Sequence, residues 1–163
     1  LDNIVKKTAA IYGIIGALIT IGSYVYIWQT RDFDNLSIGI GLLIVHLILA
    51  VGAQIHSKKK LGGYLSLKQA VLAFVACAAI MFLSEAIINY LIYVVWDPAA
   101  QEQVAQMTAE LAEQRRANSN QEIEEATIDY TIAGYAQAAV SKLLIYTVFG
   151  IIAGLIIKKN PPA

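Results

Sequence analysis

His46 and Glu85 are the residues best suited by type and position to chemistry, because each falls well inside an apolar stretch, 36–55 and 70–96 respectively. An ionisable group at membrane depth costs at least about 2.5–3.5 kcal/mol on insertion scales, so it requires a partner or a water-filled cavity. The similar depth of the two residues allows them to meet, with Glu85 carrying a proton or binding a cation and His46 titrating beside it. Asn89 lies one helical turn beyond Glu85 on the same face and Ser84 adjoins it. His46, Ser84, Glu85 and Asn89 therefore form the candidate intramembrane polar cluster. A plainer role is a hydrogen-bonded clasp between two helices, at about 0.6 kcal/mol per interhelical bond, or a protonated Glu85 paired with Asn89.

Other chemistries find little support. His46 and Glu85 are single ligands on separate segments, without a Glu-x-x-His or His-x-x-x-His pair, so no metal site is expected. A Gly-x-Gly-x-x-Gly or phosphate loop is missing, and no cofactor is expected. Ser66 beside Lys68 reads as a helix cap rather than a nucleophile and base. Without a nucleophile–base set the chain is not expected to be an enzyme. Lys58, Lys59 and Lys60 make too short a cluster to argue for nucleic acid, and His56 beside them is expected to be solvated. Cys77 is the sole cysteine and can form no internal disulfide.

The elements that must position the cluster are four apolar stretches, 9–28, 36–55, 70–96 and 138–157. Each reaches the roughly 20 residues, at about 1.5 Å apiece, that a transmembrane helix needs. The first two contain no charge, and the fourth only Lys142, near one end, from which its side chain can snorkel to the interface. Of the 163 residues 58% are apolar and 15% charged, against about 25% charged in soluble domains. A soluble bundle would need polar stripes that these segments lack. The fold class expected is all-α: one integral membrane domain over 1–163, a four-helix transmembrane bundle. The first stretch reads as a retained span, since it is longer than a leader's apolar core and lacks a small-x-small exit.

Charge sets the orientation. One side of the four stretches collects eight lysines and one acid, the other four basic residues (Lys142 included) and ten acids. Both termini and the 57–69 loop are therefore expected in the cytoplasm. Tyr24, Tyr26, Trp28, Tyr90, Tyr93, Trp96, Tyr130 and Tyr135 gather at the opposite ends, as interfacial aromatics do.

The insert 97–137 between the third and fourth stretches reads as a helical hairpin outside the membrane. Asp97 followed by Pro98 suits a helix N-cap and first position. Val104, Met107 and Leu111 recur at helical spacing among acids and form an apolar stripe, a candidate partner-docking surface. The acidic setting argues against adsorption to anionic lipid. Asn118, Ser119 and Asn120 break this arm; Ser119 and Glu122 match a capping box, and Ile123, Ala126, Tyr130 and Ala133 continue a second arm expected to run on into the fourth span. Gly13 and Gly16 on the first span, and Gly150 and Gly154 on the fourth, give small surfaces for close helix packing, within the bundle or against a partner helix.

The stretch Lys58-Lys59-Lys60-Leu61-Gly62-Gly63-Tyr64-Leu65-Ser66, Trp96 closing the third span, the long polar insert and the Gly150 to Lys159 ending together resemble the DUF4199 family of small bacterial membrane proteins of unknown function. The resemblance implies location and topology, a multi-pass protein of the bacterial inner membrane, and no activity or ligand. Glu85 departs from the mostly apolar or aromatic third span it leads one to expect. The leading expectation is a non-enzymatic accessory or scaffold subunit, its partners the lipid bilayer and another membrane protein or a second copy, with no nucleic acid. The alternative is a small-solute or proton-coupled transporter using Glu85 and His46.

Overall fold

A computed structural model describes residues 3–118 and 129–160, of which 115–118 are described as backbone only. It contains α1 (Asn3–Thr30), α2 (Leu36–Lys60), α3 (Leu67–Tyr90), a π-helical turn (Leu91–Trp96) continuing α3, α4 (Pro98–Asn118) and α5 (Ile132–Ile157). Four helices are long and apolar enough to cross a membrane: α1, α2, α3 with its π turn, and α5. The protein is an all-α, multi-pass membrane bundle. Helices suit this setting because every backbone group is satisfied within the segment. Each span is longer than or equal to its apolar stretch, because polar flanks continue the helix; α2, for example, runs on through Lys58, Lys59 and Lys60.

Local chemistry explains where the helices begin. The Asn35 side-chain oxygen accepts from the Ser37 and Ile38 amides, at 3.1 and 3.4 Å, and caps α2. Ser66 and Gln69 form the capping box that starts α3. Asp97 Oδ1 accepts from the Ala100 amide at 3.1 Å, so the Asp97-Pro98 start of α4 is as expected. Between α2 and α3 the chain reverses through Gly62 and Gly63, both at positive φ (72° and 90°), where a side chain would be strained. That turn is the physical content of the Gly-Gly pair in the 58–66 loop. Beyond it Leu65 exchanges backbone hydrogen bonds with Lys159, at 2.8 and 2.9 Å, and Lys58 Nζ donates to the Ile157 carbonyl at 2.6 Å. The lysine-rich end of the bundle is thereby tied to the end of α5.

α3 is the hub. Its buried residues, among them Ala70, Phe74, Cys77, Ala78, Met81 and Glu85, meet α1, α2 and α5, whereas α2 and α5 barely touch. The four glycines act here. Gly13 faces Ile80, Gly16 faces Met81, Gly150 faces the Phe74 ring and Gly154 faces Ala70 and Leu67. A β-carbon at Gly150 would lie 2.7 Å from that ring. The small surfaces of α1 and α5 are thus filled from within the bundle by α3. Gln54, fully buried on α2, donates to the carbonyls of Ala70 and Gly150, at 3.2 and 3.1 Å, joining three helices.

α4 leans on the π turn rather than on the other spans. The expected second arm falls largely on 119–128, which lie outside the described residues. Its expected run into the fourth span is corrected: residues 129–131 are not helical, and α5 begins only at Ile132. Asp129 Oδ1 accepts from the Thr131 amide at 2.9 Å and Thr131 Oγ1 accepts from the Gly134 amide at 3.1 Å. These two local side-chain bonds compete with helical ones, so the helix restarts instead of continuing.

Candidate functional site

A charged side chain inside a bilayer stands beside a partner or in a cavity, and Glu85 of α3 has both. Trp28 and Trp96, with ring centroids 6.1 Å apart, mark the interfacial level at one end of the bundle. Glu85 lies eleven residues before Trp96, about 16 Å along the helix at about 1.5 Å per residue. Against the roughly 30 Å hydrocarbon thickness, that places Glu85 well inside the span rather than at its interfacial end.

Two other helices supply its partners. Tyr24 of α1 donates its hydroxyl to Glu85 Oε1 at 2.7 Å. Lys142 of α5 donates to the same oxygen at 2.5 Å. The Glu85 side chain is 11% exposed and that of Lys142 49%. The pair carries no net charge, and such charge-assisted bonds are roughly twice as strong as neutral ones. Neither bond uses Oε2, and Glu85 occupies one of the three protons of the ammonium. Asn89 approaches the Tyr24 hydroxyl from one turn further along α3.

Where α2 and α5 fail to pack, a cleft of about 310 Å³ remains. Gly39, Leu42, Leu43, Phe82 and Ile145 supply its apolar lining, and Tyr24, His46, Glu85, Lys142 and Tyr146 its polar members, the Tyr146 hydroxyl donating to the Leu43 carbonyl at 3.2 Å. A smaller cavity of about 140 Å³ shares Phe82, Glu85 and Lys142 and continues to Asn89 and Tyr135. The ion pair stands at the junction of the two. At the tryptophan end Asp97 gathers three donors: Trp28 Nε1 at 2.9 Å, Arg31 Nη2 at 2.6 Å and the Ala100 amide. The Trp28 bond first, then the Ala100 amide and Arg31, outweigh desolvation and hold the Asp97 carboxyl below the usual carboxylate range.

The sequence model of the DUF4199 family, described as a protein of unknown function, matches residues 7–159. The chain belongs to the DUF4199 family. No curated protein and no solved structure matches it.

In this DUF4199 protein the expected cluster is redrawn. His46 does not bond Glu85. Its Nε2 lies 2.8 Å from Thr20 Oγ1, whose own proton goes to the Gly16 carbonyl at 2.8 Å. Thr20 has one hydroxyl proton, so His46 Nε2 must be the donor, with its ring edge set against Phe82 at 5.6 Å. Ser84 leaves the cluster, because its hydroxyl donates back to the Ile80 carbonyl of its own helix at 2.8 Å. Asn89 stays beside Glu85 in the smaller cavity. Lys142, expected to snorkel, is instead the carboxylate's counter-ion. His56, expected in solvent, stands 3.3 Å from the Tyr12 hydroxyl.

Sequence reasoning missed Lys142 and Tyr24 as site residues of this DUF4199 chain. A signal was present: Glu85 and Lys142 are the only charges inside the four apolar stretches, and they are of opposite sign. Among the described residues no three His, Cys, Asp or Glu side chains gather as a metal site would require. Val104 and Met107 of α4 are half-buried and Leu111 is exposed.

Proposed function

We propose that this DUF4199 protein is a non-enzymatic membrane protein that moves a small solute or protons through the site built on Glu85. One observation carries the reading: inside the spans, at the junction of two cavities, a single carboxylate oxygen holds both Lys142 and Tyr24. Protonation of that carboxylate removes the charge that retains Lys142, so occupancy by a proton and engagement of the lysine exclude one another. Such a two-state element is what proton coupling requires. His46 lines the path without relaying to Glu85.

The cell location belongs to the same proposal: the bacterial inner membrane, with both termini and the Gly-Gly loop in the cytoplasm. The eight lysines gathered at that end support it. The test is proton flux in vesicles reconstituted with the full chain and loaded with a pH-sensitive dye. Flux above empty vesicles, lost in Glu85→Gln, is the expected result; flux equal to that of empty vesicles removes the proton arm, and the solute arm then rests on uptake assays.

A second reading, an accessory subunit or scaffold binding another membrane protein, is favoured by α4, which projects from the bundle with Leu111 47% exposed. Under it a gentle-detergent pulldown from the native membrane yields a stoichiometric partner that is lost when α4 is shortened. Glu85→Gln then retains that partner.

A further inference from the structure

We propose that the cleft between α2 and α5 binds a neutral lipophile with a single oxygen-bearing end, a hydroxyl or carbonyl group, drawn from within the bilayer. The inference rests on the solute reading above and names the class of solute.

Three observations lead to it. The first is charge. Glu85 and Lys142 cancel one another at 2.5 Å, so neither a cation nor an anion finds a free countercharge in the cleft. A charged ligand would have to break the pair as well as enter hydrocarbon, and both steps oppose its binding. The second is hydrogen-bonding capacity. Lys142 keeps protons beyond the one given to Glu85, and neither bond to Glu85 uses Oε2. An acceptor oxygen on the ligand suits the first, and a hydroxyl proton suits the second. The third is the mouth. Leu43 of α2 and Ile145 of α5 line the cleft and are at the same time exposed on the apolar surface of the spans, so the cleft opens towards acyl chains rather than water. A volume of about 310 Å³ falls at the small end of the roughly 300–1,000 Å³ of ligand pockets.

Gly39 provides the lever. It lines the cleft, and a β-carbon there meets nothing within 4 Å, so a side chain can start at Gly39 without a clash at its root, and Gly39→Leu takes up space in the cleft. Gly41 is equally open and does not line the cleft, which makes Gly41→Leu the control. The full chain in phosphatidylcholine vesicles is irradiated with a long-chain alcohol carrying an aliphatic diazirine. Matched alkyl sulfate and alkyltrimethylammonium probes are run in parallel, and labelled peptides are mapped.

The alcohol is expected to label the Leu42, Leu43, Ile145 and Tyr146 region above other lipid-facing positions. Gly39→Leu reduces that labelling about tenfold, the scale of a misfit of one or two methylenes, and Gly41→Leu leaves it unchanged. Uniform labelling of the lipid-facing surface, insensitive to Gly39→Leu, overturns the inference. So does stronger labelling by either charged probe. The two proposals fail separately: site labelling without flux keeps the binding site and removes proton transport, whereas flux without site labelling removes the binding site alone.

Discussion

Replacing Lys142 by methionine keeps the length and apolar stem of the side chain and removes its charge, leaving Glu85 inside the span with only the Tyr24 hydroxyl. Removing one partner of a buried ion pair costs roughly 3–5 kcal/mol, because the remaining charge is uncompensated. Lys142 is the more exposed member, at 49%, so the lower end of that range, about 3 kcal/mol, is expected. Combining Lys142→Met with Glu85→Leu should recover most of the loss, since apolar replacement of a whole buried pair is often neutral or stabilising. The assay is equilibrium unfolding in bicelles, run as a double-mutant cycle over Lys142→Met, Glu85→Leu and the pair. A coupling of about 2 kcal/mol or more fits the geometry. Additive effects, or a Lys142→Met loss below about 0.5 kcal/mol, would refute the claim that the two charges hold one another.

Three other outcomes follow from the packing and from the ends of the bundle. Gly150→Ala puts a methyl group against the fully buried Phe74 ring and should destabilise by about 1–3 kcal/mol in the same unfolding assay, whereas Gly22→Ala, which meets nothing within 4 Å, should not destabilise. The depressed Asp97 carboxyl contributes stability in full above its unfolded value of about 3.9, and loses it as pH falls from there through the lower folded value. Trp28 fluorescence should therefore titrate below pH ~3.9 in the intact protein and show no such step in Asp97→Asn; a step above that pH contradicts the sign. In spheroplasts, a cysteine at Lys60 should react with an impermeant maleimide only after lysis and one at Glu102 before it; the reverse pattern would invert the proposed orientation.

What could be read from the residues differs sharply between elements. The four spans were legible because long uncharged stretches have one physical explanation, and the starts of α3 and α4 because Ser66 with Gln69, and Asp97 with Pro98, are local chemistry. The pairing of helices was not. A span that is apolar all round carries no polar face to orient it, so nothing in Ala73, Cys77 or Met81 announced that α3 would be central. Glu85 is visible in the sequence as an anomaly, but depth along the spans, as a one-dimensional guide to its partner, points to His46. Thr20 claimed His46, an interaction between two residues that look ordinary in one dimension. Gly13 and Gly150 were recognisable as small surfaces, yet only their contacts with Ile80 and Phe74 decide which neighbour fills them.

That α3 is the hub bears on the order in which the chain is assembled. Glu85 is synthesised 57 residues before Lys142, a wait of roughly 3–11 s at about 5–20 residues per second. During that interval the counter-ion does not yet exist, but α1 does, and it brings the Tyr24 hydroxyl that reaches the same carboxylate oxygen. Tyr24 is thus the first companion of the acidic helix and Lys142 the second. A nascent chain lacking the Tyr24 hydroxyl would hold an unaccompanied carboxylate at the translocon until α5 emerged, so Tyr24→Phe should act on the yield of inserted protein more than on the stability of molecules that have already formed.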